Sequence, residues 1–192
     1  MKPQTPRKIV LIGASTGGPG QIEKIVSSLP LLSDTAVVIA QHMSMDFIPS
    51  FTKRLKELSV NNISMVGDNT SVESGHIYLC HGITSVRKDG YGLKFSVESS
   101  QQHKYNPDIN SVFSSFVPFS QEIEMLGVIL TGIGNDGVEG CRQLSLKCVR
   151  TITQDEKSAI VDGMPSRARK EIQNIEIDDI AGIKEKIRNF CN

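Results

Sequence analysis

The chain has no charge of either sign to spare: twenty-one Lys and Arg stand against twenty-one Asp and Glu, for a formal net charge of zero. Nucleic acid and anionic membrane surfaces both favour a basic excess, so neither is expected as the main partner. Long apolar runs are missing too, and no stretch approaches the roughly 20 residues that cross a bilayer. The opening Met-Lys-Pro-Gln-Thr-Pro-Arg-Lys is polar, without the apolar centre of a signal peptide. Direct membrane insertion is therefore not expected, and the cytoplasm is the expected compartment. The cysteines, Cys80, Cys141, Cys148 and Cys191, include no C-x-x-C pair, so neither a disulfide framework nor a zinc site is expected. Internal repeats, low-complexity tracts and linkers are absent as well. The 192 residues suit one domain spanning 1–192, with 1–8 as a flexible leader. With 39% hydrophobic and 22% charged residues, the composition is that of an ordinary globular chain.

Three short apolar runs stand out: 8–13 (Lys-Ile-Val-Leu-Ile-Gly), 35–41 (Thr-Ala-Val-Val-Ile-Ala-Gln) and 125–131 (Met-Leu-Gly-Val-Ile-Leu-Thr). Such runs suit strands of a parallel sheet covered on both faces. Between them, Ile22, Ile25, Val26 and Leu29 recur at helical spacing, as do Phe47, Phe51, Leu55 and Leu58, and 137–146 follows the third run. Alternating strand and helix predict an α/β fold, a doubly wound and mostly parallel sheet flanked by helices. Residues 75–98 differ, with short β-like pieces and a turn at Asp89-Gly90, which predict a small β-hairpin insertion. A further strand is expected at 149–153 and an amphipathic helix at about 178–190.

Chemistry is expected where strands end. Gly13-Ala14-Ser15-Thr16-Gly17-Gly18 follows the first strand directly, and a sharp strand-to-helix turn holds a serine hydroxyl proud of the sheet. The same glycines also suit a phosphate-binding turn, although Pro19 stands where a Walker loop needs lysine. His42 falls just past the second strand, where an imidazole can take a serine proton and return it to a leaving group. His76, His81 and His103 are assigned to structure or solvent, and no acid or thiol lies near them at metal-ligand spacing. The third strand runs into Thr131-Gly132-Ile133-Gly134-Asn135-Asp136-Gly137. Asp136 can orient a histidine or simply cap the next helix. Gly132, Gly134 and Gly137 also match G-x-G-x-x-G, and Asp155 lies near where a ribose-binding acid is expected, so a dinucleotide-binding oxidoreductase is the rival reading. Ser15, His42 and Asp136 nevertheless all fall at carboxyl ends of predicted parallel strands, the edge where doubly wound sheets place their sites.

Taken together, Ile-Gly-Ala-Ser-Thr-Gly-Gly-Pro (12–19), Gln-His-Met (41–43), Leu-Thr-Gly-Ile-Gly-Asn-Asp-Gly (130–137) and Gln-Asp-Glu with Gly-Met-Pro (154–156, 163–165) resemble the catalytic domain of the CheB chemotaxis methylesterases. The resemblance implies a serine esterase that hydrolyses glutamate methyl esters on bacterial methyl-accepting chemotaxis receptors, and that deamidates certain receptor glutamines. It places the catalytic serine, histidine and aspartate on Ser15, His42 and Asp136. The oxyanion is expected to meet the backbone N–H of Thr16 and one from the loop around Ile133. No cofactor and no metal are implied. A receptor-binding module without catalysis is the other alternative. Two departures from the family pattern stand near the site: Ile133 where Met is usual, and Asn110 where Arg-Pro-Ser-Val-Asp places an aspartate. The family also commonly carries an N-terminal receiver domain, whereas about eight residues precede the first strand here, so an active site open by default is expected.

Overall fold

The computed structural model describes residues 5–98 and 105–192. The three apolar runs become β1 (Lys8–Ala14), β2 (Thr35–Gln41) and β7 (Glu124–Ile129), and nearly every residue in them is buried. With β3 (Asn62–Met65), β4 (His76–Leu79), β8 (Arg150–Gln154) and β9 (Glu176–Asp178) they form a seven-stranded sheet in the order β3-β4-β2-β1-β7-β8-β9, parallel at every pairing. A parallel sheet needs cover on both faces, which is why its strands are apolar without alternation.

Two cores supply that cover. On one face Val10, Ile12 and Ala14 meet Ile22 and Ile25 of α1 (Gly18–Val26), Phe51 and Leu55 of α2 (Ile48–Leu58), and Ile183 and Ile187 of α6 (Ile180–Phe190). On the other, Ile9 and Leu11 meet α3 (Ile109–Phe116), α4 (Val138–Leu146) and α5 (Gly163–Glu171) through residues such as Phe113, Cys141 and Met164. Each of these fully buried aliphatic side chains contributes roughly 1.5–3 kcal/mol of transfer free energy.

β5 (Ile83–Asp89) and β6 (Gly92–Glu98) form the expected antiparallel hairpin, which packs Val86, Leu93 and Phe95 onto the second core. Asp89 still pairs with Gly92, so the turn residues are Gly90 and Tyr91, one step beyond the expected Asp89-Gly90. Gly90 there has φ +59°, a left-handed value that suits glycine. Of the leader expected over 1–8, residues 1–4 lie outside the described residues. Pro6 is buried, the Arg7 N–H donates to Asp34 at 2.8 Å, and Lys8 already opens β1. All four cysteines are free thiols. Among the described residues no helix is long and apolar enough to cross a membrane.

What the topology does for function is set by β1. The chain winds from β1 outward through β2 to the β3 edge, then returns to place β7 on the other side of β1. The carboxyl ends of β1 and β7 therefore flank a topological switch point, the position where open α/β sheets form their clefts. Register makes the edge flush, since Gly13 pairs with both Ala40 and Ile129.

Candidate active site

Ser15 is the first residue past β1. Its N–H donates to the Thr131 carbonyl at 3.0 Å, and its own carbonyl accepts from Gly18 N–H at 2.9 Å, which closes the turn into α1. Gly17 sits at that helix start with φ +82°, a conformation disfavoured for other residues, and Ile160 fills the space beside it. Thr131 Oγ1 lies 2.9 Å from the Thr16 carbonyl and accepts from Val161 N–H at 2.8 Å, so three loops are tied at one buried hydroxyl. Glycine at 132 is required by contact alone: a Cβ there would stand 2.6 Å from the Ser15 Cβ and collide with the Met164 sulfur.

His42 extends β2 by one residue, its N–H donating to the Ala14 carbonyl at 2.9 Å. The Gln41 amide is buried between the two loops, with Nε2 donating to the Ser15 carbonyl at 2.8 Å and the His42 carbonyl at 2.9 Å. One side chain thus links the backbones of both residues. The far side of the histidine loop is gripped by Asn106: its carbonyl accepts from Met43 N–H at 2.9 Å and its Nδ2 donates to the Met43 carbonyl at 2.8 Å.

Asp136 does not cap the helix that follows it. Gly137 takes the N-cap of α4 without a side-chain bond. The buried carboxylate points instead at the start of α3, where Oδ2 accepts from Ile109 N–H at 2.8 Å and Oδ1 from Asn110 N–H at 3.0 Å. Asp108 caps α3 through Ser111 N–H at 2.7 Å, which leaves the next two amides, and the positive end of the helix, for Asp136.

The sequence-predicted residues then meet. Ser15 Oγ lies 3.1 Å from His42 Nδ1, and His42 Nε2 lies 2.7 Å from Asp136 Oδ2. A carboxylate only accepts, so its partner Nε2 carries the proton and Nδ1 presents its lone pair to the serine hydroxyl. In the chymotrypsin arrangement Nε2 faces serine and Nδ1 faces aspartate. Here the two nitrogens exchange places, with the same chain of donors and acceptors. Thr16 is exposed, and its N–H meets no acceptor among the described residues. Ile133 lies on the adjoining loop, two-thirds exposed.

Other expected positions are accounted for by local structure. Asp155, the candidate ribose acid, accepts from Ser158 N–H and Oγ at 2.9 and 2.5 Å, and these bonds hold its carboxyl below the usual range. The space at Gly137 is taken by the Ile109 side chain as that at Gly132 is by Ser15 and Met164, so both glycines are explained without a pyrophosphate. His76 bonds the Ser64 hydroxyl at 2.9 Å, and burial lowers its pKa. His81 bonds the Val66 carbonyl at 2.8 Å, while His103 lies outside the described residues. Among the described residues no three His, Cys, Asp or Glu side chains gather as metal ligands. Sequence reasoning missed the α3 amides, although Asp108 three residues before Ser111, ahead of Ile109, Val112, Phe113 and Phe116, carried the signal of a capped amphipathic helix. It also missed Gln41, Thr131 and Tyr105 as partners of the site.

Comparison with known proteins identifies the family. A family model described as CheB methylesterase matches residues 10–187. The chain is 35% identical over 184 residues to a protein-glutamate methylesterase/protein-glutamine glutaminase of Lawsonia intracellularis, covering 94% of this chain and 51% of that protein. A Symbiobacterium thermophilum protein of the same name is 35% identical over 160 residues, 83% of this chain and 44% of the relative. The chain thus spans about half the length of the curated relatives it matches. The crystal structure of the Thermotoga maritima CheB methylesterase catalytic domain superposes with a TM-score of 0.83 at 25% identity, covering 95% of this chain and 97% of that one. With most of its length matched by the family model, and its α/β fold shared with that catalytic domain, the chain belongs to the CheB methylesterase family.

Proposed function

We propose that the chain is a single catalytic domain, 1–192, of a protein-glutamate methylesterase that also deamidates glutamine, with Ser15 as nucleophile, His42 as general base and Asp136 as the residue orienting it. The observation that carries this reading is the unbroken chain of hydrogen bonds Ser15–His42–Asp136 on a flush sheet edge. His42 Nδ1 takes the Ser15 proton as Oγ attacks the γ-carbonyl carbon of a methylated glutamate. The resulting oxyanion is met by Thr16 N–H and an N–H of the Ile133 loop. Nδ1–H then protonates the departing methoxide, methanol leaves, and a glutamyl ester on Ser15 remains. Water, deprotonated by His42, hydrolyses that ester, returning glutamate and free serine. With glutamine as substrate, ammonia leaves in place of methanol. The proposed partners are the helical bundles of methyl-accepting chemotaxis receptors, met in the cytoplasm.

The test is methanol release from methylated receptor membranes. Ser15→Ala should abolish it in a folded protein, as loss of the nucleophile costs a serine protease roughly 10⁶ in rate. A folded Ser15→Ala chain that releases methanol at the wild-type rate overturns the assignment of Ser15, and a wild-type chain that binds receptor but releases none leaves a receptor-binding module in its place.

A further inference from the structure

Two hydrogen bonds do not fix an imidazole. The bonds at Nδ1 and Nε2 both lie in the ring plane, so the ring remains able to tilt about the line joining Ser15 to Asp136. Something on its face must stop that motion. In this protein it is Tyr105, whose ring lies flat on His42 with centroids 4.8 Å apart and planes within 3°. The tyrosine hydroxyl reaches the other strand-end loop, 3.6 Å from where a Cβ on Gly134 would stand. Its backbone neighbour is locked on both sides, since Asn106 grips Met43 and its Oδ1 accepts from Gly82 N–H at 2.6 Å. The imidazole beneath is only 13% exposed.

We propose that Tyr105 is a positioning residue for His42, holding the imidazole in the plane shared by Ser15 and Asp136 and presenting an aromatic face to the imidazolium that forms on proton transfer. This rests on the esterase reading above. The electron-rich ring gains attraction for His42 only once it carries the serine proton, so the contact strengthens toward the transition state and raises kcat more than it tightens substrate binding.

The experiment measures kcat and KM on a synthetic peptide bearing a glutamate γ-methyl ester, for wild type, Tyr105→Phe, Tyr105→Leu, Tyr105→Ala and Ser15→Ala. It also records the ¹⁵N spectrum of the His42 ring without substrate. Tyr105→Phe keeps the stack and should stay within about threefold of wild type. Tyr105→Leu, which keeps bulk and cover but no flat face, and Tyr105→Ala should lose about ten- to thirtyfold in kcat with KM little changed, the size of a desolvated cation–π contact. The ring nitrogens should report a single Nε2–H tautomer in wild type and Tyr105→Phe, and averaging in the other two. Leu and Ala variants within threefold of wild type overturn the proposal. So does a Phe variant that falls as far as Ala, which would assign the role to the hydroxyl, or a loss confined to KM. Turnover by Ser15→Ala would instead refute Ser15 as the nucleophile, while the tautomer spectra would still report on Tyr105.

Discussion

Asp136→Asn should break two things that are separable. The carboxylate serves three donors: His42 Nε2–H and Ile109 N–H on Oδ2, and Asn110 N–H on Oδ1. An amide offers one oxygen and one NH₂. With its oxygen at the Oδ2 position, the NH₂ faces Asn110 N–H. Turned over, the NH₂ faces Ile109 N–H and donates to His42 Nε2, which forces the histidine proton onto Nδ1 and aims a donor at Ser15. Either way one amide of α3 loses its acceptor, the half-buried Asn110 N–H or the buried Ile109 N–H, a cost of about 1–3 kcal/mol in stability that is largest for Ile109. In either orientation the negative charge beside the developing imidazolium is gone. Because part of the population also holds the wrong tautomer, kcat should fall by roughly 10³–10⁴, the scale of the corresponding change in a serine protease. Denaturant unfolding and peptide-ester kinetics read the two losses independently. The α3 amides do not touch His42, so the stability cost should be the same in a His42→Ala background. A folded Asp136→Asn protein within tenfold of wild-type kcat refutes the assignment of Asp136. A stability loss that vanishes when His42 is removed refutes the account of α3.

The remaining predictions probe the support of the nucleophile and the sheet edge. Gly132→Ala places a methyl 2.6 Å from the Ser15 Cβ and into Met164, so it should displace the serine and cut kcat by about 10²-fold while destabilising the fold by about 1–3 kcal/mol; full activity would show that Ser15 is not confined there. Glu176 is paired with Arg150 at 2.6 Å and Lys186 at 3.1 Å, and Arg150 above all pulls its carboxyl from 4.5 to about 2. Those pairs stabilise the fold above about pH 4.5 and are lost as pH falls through about 2. With the side chain 37% exposed and screened by solvent, Glu176→Gln should cost about 0.5–1 kcal/mol at pH 7, and the difference should shrink toward nothing in acid; a constant difference in thermal unfolding across that range refutes it.

How far the sequence disclosed this site follows from which interactions are local. Strands β1, β2 and β7 were legible because a strand covered on both faces must be apolar throughout, and that pattern survives in one dimension. Ser15 and His42 were legible because each directly follows such a strand, and Asp136 because it lies in the glycine-rich loop that carries β7 into α4. The support was not. Asn106 meets Met43 across sixty-three positions, and Ile109 meets Asp136 across twenty-seven. Neither partner has a residue type that demands such a contact: Asp108 signals a helix start, but nothing in the sequence says which carboxylate its free amides will meet. The hairpin turn was off by one for a related reason: Asp-Gly is a good turn former, but register along β5 and β6 is fixed by Val86, Leu93 and Phe95 reaching the core, not by the turn.

The departure at Asn110 shows why residue type and role must be separated. Asn110 sits in the first turn of α3, its N–H already committed to Asp136 and its side-chain Oδ1 accepting from Gly140 N–H at 2.9 Å. Gly140 lies in the first turn of α4, so that oxygen satisfies one of the orphan amides every helix start exposes. An acceptor is all the position requires, and an amide oxygen supplies it as well as a carboxylate does. The difference is charge. An aspartate at 110 would add a third negative group to the helix start that already holds Asp108 and Asp136, and it would compete with them for the positive end of α3. With asparagine, that end is left to Asp108 and Asp136, and the α3 and α4 starts are stitched together through one neutral side chain. The substitution therefore falls on the frame that carries the aspartate, and it leaves the hydrogen-bond chain from Asp136 through His42 to Ser15 intact.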